Sequence, residues 1–386
     1  MMSDNFTEVT SEGWFSRIGS SIKGILFGLL LFAVSFVVLF WNEGRTVERT
    51  QTLNEGSGAV ISVDASMVSS MNQDKLVHFS AFLTTDEVLE DKTFQVKATA
   101  LKLYRDVEMY QWVEDSETHS ETAVGGEKTT TTTYSYSKKW RGSLESSNSF
   151  KKPEGHQNPQ EMPLSDSHLT TSVAMAGAYN VPESMVNDLR HMKQFTLDTS
   201  VVLPTYSNQK IAYYDGGYYL GTNSATPTVG DMKVSYRIMK PLDVSIIAQQ
   251  RDNSLTTYNT KAGGTINMIV TGTKSSQSMF KQAHEDNIMM MWILRAVGVI
   301  MMTIGLSLIF SPLAVIADVV PFIGSIVSGG TVLFAILISL VLSLVTISIA
   351  WIFYRPLIGL ALLAVAGGVL WLIKVKFKKP EVVEGI

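Results

Sequence analysis

The apolar positions of this chain of 386 residues are concentrated in runs near its two ends, with a long stretch of mixed polarity between them. One run lies at residues 22–41, and three more lie at residues 288–310, 331–353 and 357–373. A helix needs about 20 apolar residues to cross the hydrocarbon core of a bilayer. The pattern therefore predicts a multipass α-helical membrane protein with four spans.

Residues 311–330, between the second and third spans, are also apolar but include Asp318 and Pro321. Proline removes a helical hydrogen bond, so we predict an interfacial or re-entrant segment here rather than a further span. Arg295 interrupts the second span, and a charge at membrane depth is costly unless it is paired or reaches the interface. Asp318 is a candidate partner for Arg295, and the alternative is that each side chain extends to its own interface. Both are candidate intramembrane functional charges.

The stretch between the first two spans, residues 42–287, has the alternating pattern of β-strands. Apolar and polar residues alternate over residues 101–113 and again over residues 231–238, which is typical of half-buried strands. A hairpin is predicted around Gly216, because glycine accepts a positive φ. One helix is expected near residues 182–195. The pattern indicates a large β-rich (α+β) domain inserted between spans 1 and 2.

Basic residues at the ends of the chain predict its orientation. Arg17 and Lys23 precede the first span, and four lysines follow the last one between residues 374 and 386. Because positive residues favour the cytoplasmic side, the tails at residues 1–21 and 374–386 are predicted to be cytoplasmic. With four spans, residues 42–287 then form an extracytoplasmic domain, periplasmic or lumenal. The apolar run at residues 22–41 is interpreted as an uncleaved signal anchor.

Composition excludes some classes of chemistry. The chain has no cysteine, which rules out disulfides and a cysteine nucleophile. Its formal net charge of −4 gives no basic field for nucleic acid. The six histidines form no His-Glu-x-x-His pair, and the serine-hydrolase and phosphate-binding glycine motifs do not occur. No cofactor or metal is predicted, and the chain is not expected to be an enzyme, although His156 and His168 beside carboxylates keep a hydrolase hypothesis open.

Four tyrosines flank the predicted hairpin turn, and they form a candidate binding surface. They are Tyr213, Tyr214, Tyr218 and Tyr219. Packing across the two strands is the simpler explanation for such a group.

Several short motifs together resemble the transmembrane protein 43 family, also called LUMA. Each motif alone is weak, but their order and spacing extend through nearly the whole chain. They occupy residues 41–45, 53–56, 134–140, 155–159, 229–236, 247–251 and 351–357. The resemblance implies a multipass protein of internal membranes, found in eukaryotes in the endoplasmic reticulum and the inner nuclear membrane. It also implies a scaffold that oligomerises and organises membrane protein complexes. It supplies no catalytic residues, and the absence of cysteine and the short tails favour a bacterial member in the inner membrane.

Two hypotheses for function therefore stand beside that of a hydrolase. The first is a non-enzymatic membrane scaffold whose partners are the lipid bilayer, copies of itself and other membrane or periplasmic or lumenal proteins. The alternative is an ion-conducting or transport-related protein, because charges in broken apolar segments can line a pathway.

Overall fold

The fold is described from a computed structural model. It describes residues 5–200, 203–206 and 210–356. The predicted fourth span at residues 357–373 and the basic tail at residues 374–386 lie outside the described residues.

Three long helices of the described chain are long and apolar enough to cross a membrane. Two single-turn 3₁₀ helices at Ser70–Asn72 and Ser147–Ser149 complete the helical structure. The α-helices are α1 (Trp14–Ala59), α2 (Glu183–Asp188), α3 (Ser276–Ala317) and α4 (Pro321–Tyr354). The first three predicted spans lie within α1, α3 and α4, so the prediction of apolar helices around a β-rich domain is confirmed. Each helix extends beyond its predicted span.

The predicted interfacial segment at residues 311–330 is not a separate element. Its first part forms the last turns of α3, and its second part forms the first turns of α4. Pro321, which was expected to interrupt a helix, is instead the first residue of α4. The first turn of a helix tolerates proline because its N–H there has no intrahelical partner. Only residues 318–320 connect the two helices.

Nineteen strands form the β structure of the described residues. They are β1 (Asn5–Glu12), β2 (Ile61–Ser62), β3 (Leu76–Thr84), β4 (Val88–Asp91), β5 (Val96–Thr99), β6 (Lys102–Thr122), β7 (Lys128–Arg141), β8 (Ser167–Thr170), β9 (Ala174–Ala176), β10 (Tyr179–Val181), β11 (Lys193–Phe195), β12 (Ile211–Tyr214), β13 (Gly217–Leu220), β14 (Met232–Met239), β15 (Leu242–Arg251), β16 (Ser254–Thr256), β17 (Tyr258–Asn259), β18 (Thr265–Ile266) and β19 (Met268–Thr271).

Two large sheets contain most of these strands. The first has the order β1-β7-β6-β14-β13-β12, with β11 beside β14 and β8 beside β6. The second has the order β19-β15-β16-β10-β9-β3-β2, and β15 also pairs with β3. Two-stranded pairs β4–β5 and β17–β18 complete the set. The strands predicted over residues 101–113 and 231–238 are confirmed as β6 and β14, which pair antiparallel from Met232 opposite Met109 to Met239 opposite Lys102.

Each large sheet has its own apolar core. One core packs Phe79, Tyr179 and Ile246 with Met185 of α2. The other packs Val107, Met109, Val234 and Tyr236 of β6 and β14 with Phe94. The predicted helix near residues 182–195 is shorter than expected, because the chain leaves α2 after Asp188 and forms β11 on the edge of β14.

A buried ion pair lies in the second core. The Arg105 Nη1 atom donates to both carboxylate oxygens of Asp91, at 2.7 and 2.8 Å. The hydroxyl of Tyr236 donates to the same carboxylate at 2.6 Å. Burial, and then this hydrogen bond, raise the pKa of Tyr236. The Nε and Nη2 atoms of Arg105 donate to the Ser165 carbonyl, so each nitrogen of the guanidinium has a hydrogen-bond partner.

Contacts divide the chain into two compact units. The β unit comprises residues 1–10, 52–120 and 130–282, and the helical unit comprises residues 11–51, 121–129 and 283–386. Helices α1 and α3 each continue from one unit into the other as a single helix. A single helix, α3, therefore contains residues 276–287 together with the second predicted span.

Within the predicted cytoplasmic tail at residues 1–21, the described residues form the strand β1 and the start of α1. Residues 5–12 form β1 beside β7, and Glu8 pairs with Lys151 at 2.9 Å within the β unit. The Tyr134 hydroxyl also donates to Glu8, at 3.3 Å. The predicted tail and the predicted domain thus contact each other through Glu8 and Lys151. The side of the membrane on which each of them lies stays a prediction.

Candidate functional site

The most enclosed charged cluster of the helical unit is built around Glu43 of α1. Its side chain is fully buried. Its Oε1 atom accepts a hydrogen bond from Arg295 Nε of α3 at 2.7 Å, and its Oε2 atom accepts one from Trp351 Nε1 of α4 at 2.8 Å. One carboxylate thus joins three helices. A buried carboxylate without its cation would be strongly unfavourable, so this pair fixes which faces of α1 and α3 meet.

Tryptophan rings enclose the cation of this cluster. The Arg295 guanidinium lies 4.8 Å from the ring centre of Trp292 and 5.8 Å from that of Trp351. Such cation–π contacts stabilise a desolvated guanidinium by roughly 1–2 kcal/mol. Tryptophan is also enriched at membrane interfaces, which is where a charged residue near a span end is tolerated.

A layer of polar contacts lies next to the Glu43 cluster. The Asn42 side-chain amide donates to the Met291 carbonyl at 3.0 Å, and the Asn287 amide donates to the Thr46 carbonyl at 3.1 Å. Arg45 donates to the Asn287 Oδ1 atom at 3.2 Å. These bonds run in both directions between α1 and α3, so they fix the register of the two helices.

The motif at residues 41–45 is explained by these contacts. Asn42, Glu43 and Arg45 make the polar bonds, and Gly44 lies against the ring of Tyr354 with no room for a Cβ atom. Phe40 packs on the same tyrosine, with ring centres 5.2 Å apart. The motif at residues 351–357 supplies Trp351 and Tyr354, so two motifs that are about 300 residues apart in sequence meet here.

A second charged cluster lies at the start of α1. Arg17 forms an ion pair with Asp318, in the connection between α3 and α4. Its Nη1 atom also donates to the Gly126 carbonyl at 2.6 Å, and Gly126 belongs to the turn between β6 and β7. The Trp14 indole N–H donates to the Val315 carbonyl at 2.8 Å, and the Gly125 N–H donates to the Val319 carbonyl at 2.9 Å.

The structure does not pair Arg295 with Asp318. From Arg295 to the end of α3 at Ala317 is 22 residues, which is about 33 Å of helix. Arg295 therefore pairs with Glu43 near one end of the helical unit, and Asp318 pairs with Arg17 near the other. Both predicted charges do have partners, but each partner comes from α1.

Sequence reasoning missed Glu43 and Arg17 as partners because both were placed outside the first span. Their partners are 252 and 301 residues away in the chain, so no local pattern contains the pairing. The sequence does contain one indication of the pairing, which is the order of the charged residues. An acidic residue of α1 lies just after the apolar run of this helix, and a basic residue lies just before it. After the domain, Arg295 lies in α3 and Asp318 follows directly after the end of this helix, which is the complementary order for an antiparallel neighbour of α1.

Two of the four tyrosines of the predicted binding surface are core residues. Tyr218 and Tyr219 are buried in β13. Tyr213 lies opposite Tyr218 on β12 with ring centres 5.6 Å apart, and the ring of Tyr214 lies diagonally across from that of Tyr219 at 5.7 Å. Burial raises the pKa of Tyr218 to about 12. Burial, and then a 2.6 Å hydrogen bond to Asp231, raise the pKa of Tyr219. Packing across the strands thus accounts for Tyr218 and Tyr219.

A polar cleft of about 510 Å³ opens beside this hairpin within the β unit. Tyr214, Glu108 and Lys233 are among its lining residues. The Lys233 ammonium lies 5.1 Å from the Tyr214 ring centre and 4.2 Å from that of Trp140. Of the predicted surface, Tyr214 and Tyr218 line this cleft.

His156 is packed in the β unit rather than presented to a substrate. It is buried, its ring stacks on Tyr136 at 3.9 Å, and it meets Trp112 edge-on at 4.7 Å. Its Nδ1 atom is 2.8 Å from the Lys152 carbonyl oxygen. Burial, and then a hydrogen bond to Glu114, raise the pKa of Tyr136 to about 12. These contacts give His156 a structural role between β6, β7 and the loop that follows them.

His168 lies in a small cluster with Asp106 and Asp166, whose ligand-type atoms are within 4.8 Å of one another. Asp106 already accepts two hydrogen bonds from Arg237, at 2.5 and 2.6 Å. Asp166 accepts one from the Val107 N–H at 2.8 Å. Both carboxylates thus accept hydrogen bonds from neighbouring protein groups. The hydrolase hypothesis predicts loss of the cellular phenotype in His156→Ala or His168→Ala, and an unchanged phenotype in both would leave it without candidates.

Comparison with known proteins places these features in a family. The sequence profile described as Transmembrane protein 43 matches residues 109–356. Transmembrane protein 43 of Mus musculus is 32% identical over 364 residues, which cover 91% of this chain and 90% of the mouse protein. The Homo sapiens protein is 31% identical over 370 residues, covering 92% and 91%. The homolog of Drosophila melanogaster is 28% identical over 351 residues, covering 88% and 90%. No solved structure matches significantly.

The fold and the comparisons define an integral membrane protein in which a large β-rich domain is inserted between the first apolar helix and the later ones. The names of the matched proteins carry no enzyme designation. Since the profile covers more than half of the chain and relatives above 30% identity span nine-tenths of it, the chain belongs to the transmembrane protein 43 family.

Proposed function

We propose that this protein is a non-enzymatic integral membrane scaffold, which organises membrane protein complexes through its β-rich domain and through self-association. The observation that carries the proposal is the set of polar bonds between α1 and α3, the helices by which the chain enters and leaves the β unit. Asn42, Glu43 and Arg45 on α1 bond to Met291, Arg295 and Asn287 on α3. A scaffold needs helices that are fixed against each other, because a domain carried by loosely associated helices would not hold its partners in a defined arrangement.

The proposed location follows from the charge distribution and from the family. In a bacterium the protein would lie in the inner membrane, with most of the β-rich domain in the periplasm. In a eukaryotic cell the corresponding place would be the endoplasmic reticulum and inner nuclear membrane, with the domain in the lumen. Its partners would be other copies and other membrane or periplasmic or lumenal proteins.

Isolation of cross-linked complexes from membranes tests the proposal. Two differently tagged copies are co-expressed, cross-linked in the membrane, and isolated through one tag. We expect recovery of the second tag and of a reproducible set of membrane proteins. Glu43→Gln should reduce this recovery, whereas Glu48→Gln, an exposed carboxylate on the same helix, should not. Recovery of neither the second tag nor any partner from wild-type membranes would reject the scaffold.

Ion conduction is the second candidate, favoured by charged residues close to the apolar spans. Against it, the Glu43 carboxylate and the Arg295 guanidinium neutralise one another. Liposomes containing the wild-type protein or Arg295→Leu would be compared with empty liposomes for ion flux. Ion conduction would be supported if the wild-type flux exceeds that of empty liposomes and changes in Arg295→Leu. A wild-type flux equal to that of empty liposomes would reject ion conduction.

A further inference from the structure

The polar cleft beside the β12–β13 hairpin has the size and lining of a ligand site. Its volume of about 510 Å³ lies within the range of small-molecule sites, which is about 300–1,000 Å³. Its lining residues come from β6, β11, β12, β13 and β14 and from the chain beside them, all within the β unit. Besides two tyrosines, six lining side chains end in polar groups: Glu108, Gln194, Thr196, Asp215, Lys233 and Ser235.

The backbone around the cleft is held by hydrogen bonds. Strands β6 and β14 are paired over eight residues each. The turn between β12 and β13 has only two residues, Asp215 and Gly216, and both have positive φ, at 47° and 76°. The Leu197 N–H donates to the Gly216 carbonyl at 2.9 Å, which fixes this turn to the chain that follows β11. A fixed backbone lowers the cost of ordering the lining side chains around a ligand.

Two opposite charges in the cleft are held apart. Lys233 and Glu108 are directly opposite each other on β14 and β6, where opposite charges stabilise a sheet by pairing. The Lys233 ammonium instead lies 4.2 Å from the ring centre of Trp140 and 5.1 Å from that of Tyr214. Within the described part of the chain, the Glu108 carboxylate accepts no hydrogen bond from a protein group. Both charges are therefore available to a ligand.

The other polar side chains of the cleft also lack protein partners. Among the residues that the structure describes, four of them form no side-chain hydrogen bond with another protein group: Gln194, Thr196, Asp215 and Ser235. Farther along the same two strands, Asp106 accepts two hydrogen bonds from Arg237. The cleft thus combines carboxylates that accept, an ammonium that donates, and amide and hydroxyl groups that do both.

This combination favours one class of ligand. An anion would meet two carboxylates, and a cation would meet the ammonium. An apolar ligand would take the polar groups out of water without replacing their hydrogen bonds. Sugar hydroxyls both donate and accept, so neighbouring hydroxyls can satisfy a carboxylate and an ammonium together. The ring of Tyr214 adds an apolar surface beside these groups, which suits the C–H face of a sugar ring.

We propose that this cleft binds an oligosaccharide. Glu108 and Asp215 accept hydrogen bonds from its hydroxyls, Lys233 and Gln194 donate to its oxygens, and the ring of Tyr214 contacts one sugar ring. The site adds a ligand to the β unit and does not depend on the proposed scaffold.

Saturation-transfer NMR on the full chain tests the proposal. The protein is held in nanodiscs of phosphatidylcholine, because detergents with sugar headgroups would compete for the cleft. The probes are maltose, cellobiose and N,N′-diacetylchitobiose, with spermidine as a cation and succinate as an anion. We expect saturation transfer to at least one disaccharide. Its affinity should fall by about tenfold in Glu108→Leu and in Lys233→Met, because each variant removes a hydrogen bond that involves a charged group.

Glu117→Leu and Lys75→Met are the matched controls, because both side chains are exposed in the β unit and lie outside the cleft. They should bind the disaccharide as the wild type does. Loss of the Lys233 ammonium weakens the binding of a sugar or an anion but strengthens that of a cation. Transfer to spermidine that rises in Lys233→Met, or transfer to succinate, without transfer to any disaccharide would overturn the proposal. Disaccharide binding that is absent, or unchanged in both cleft variants, would also overturn it. The scaffold is tested separately, by recovery of cross-linked complexes.

Discussion

Each of the two units contains a buried arginine–carboxylate pair whose carboxylate also accepts a hydrogen bond from an aromatic side chain. One pair lies between strands, and the other lies between helices. In the β unit, Arg105 and Tyr236 bind Asp91. In the helical unit, Arg295 and Trp351 bind Glu43. The three residues of the first set come from strands β4, β6 and β14, and β6 and β14 are already joined by a ladder of backbone hydrogen bonds. The helices joined by the second set cannot bond through their backbones, because each helix uses those groups internally.

The loss of one pair is therefore expected to affect a different property of the protein from the loss of the other. Loss of Asp91 would leave a buried guanidinium inside a packed core, where the cost falls on the stability of the β unit. Loss of Glu43 would leave Arg295 beside Trp292 and Trp351 near one end of the helical unit, where a long charged side chain can reorient toward water. The expected loss of stability is smaller there, but it weakens the association of α1 with α3 and α4, on which the proposed scaffold depends.

The largest effect is expected for Asp91→Ala. It removes one partner of a buried pair, which costs about 3–5 kcal/mol. Hydrogen exchange of the β14 amides in the detergent-solubilised chain measures the opening free energy of this sheet. Asp106→Ala is the matched control, because its pair with Arg237 is substantially exposed and is expected to contribute less than about 1 kcal/mol. Equal effects of the two variants would show that burial of the Asp91 pair is unimportant.

Gly44→Ala is expected to have the next largest effect. The new methyl group would meet the Tyr354 ring, and overpacking of this kind costs about 1–3 kcal/mol. Gly24→Ala is the control on the same helix, since nothing lies near its Cβ position and alanine favours a helix over glycine by up to about 1 kcal/mol. Thermal unfolding in detergent should show a lowered Tm for the first variant and an unchanged or raised Tm for the second. A lowered Tm in both would mean that α1 tolerates no side chain for reasons unrelated to Tyr354.

A smaller effect is expected from alkaline pH, and only in the β unit. Burial raises the pKa of Tyr218 to about 12, whereas an unfolded tyrosine titrates near pH 10. Between these values the unfolded chain has released the proton and the folded chain has not, so stability is complete below pH 10 and falls as pH rises toward 12. Tyr218→Phe should make this fall less steep in the β14 hydrogen-exchange data, and the buried Tyr219 and Tyr236 of the same sheet account for the rest of it. An unchanged slope would show that Tyr218 does not carry the pH dependence.

The elements of this fold were largely predictable, because they depend on local patterns. The alternation at residues 231–238 became β14, and Gly216 marks the turn between β12 and β13. The charge pairing was not predictable in the same way. Arg295 was correctly identified as a charge that needs a partner, but the choice of Glu43 over Asp318 depends on which helices lie side by side. That arrangement is set by contacts between residues hundreds of positions apart.

The N-terminal strand illustrates the same limit. Residues 5–12 contain only two large apolar side chains, Phe6 and Val9, so their sequence resembles a polar tail. Their structure comes from the edge offered by β7, with Thr10 bonding to the Thr130 carbonyl and Ser11 bonding to Glu127. An edge strand of this kind is defined by its neighbour and not by its own pattern.

The most direct test of the account is a double-mutant cycle on Glu43 and Arg295. Glu43→Gln, Arg295→Met and the double variant would be compared for stability in detergent and for recovery of a second tagged copy from cross-linked membranes. If the pair holds α1 to α3, the double variant should be less harmful than the sum of the single variants, by on the order of 1 kcal/mol, and all three should recover less of the second copy. Effects that add within about 0.3 kcal/mol, with undiminished recovery, would reduce the helices to a passive anchor and contradict the account.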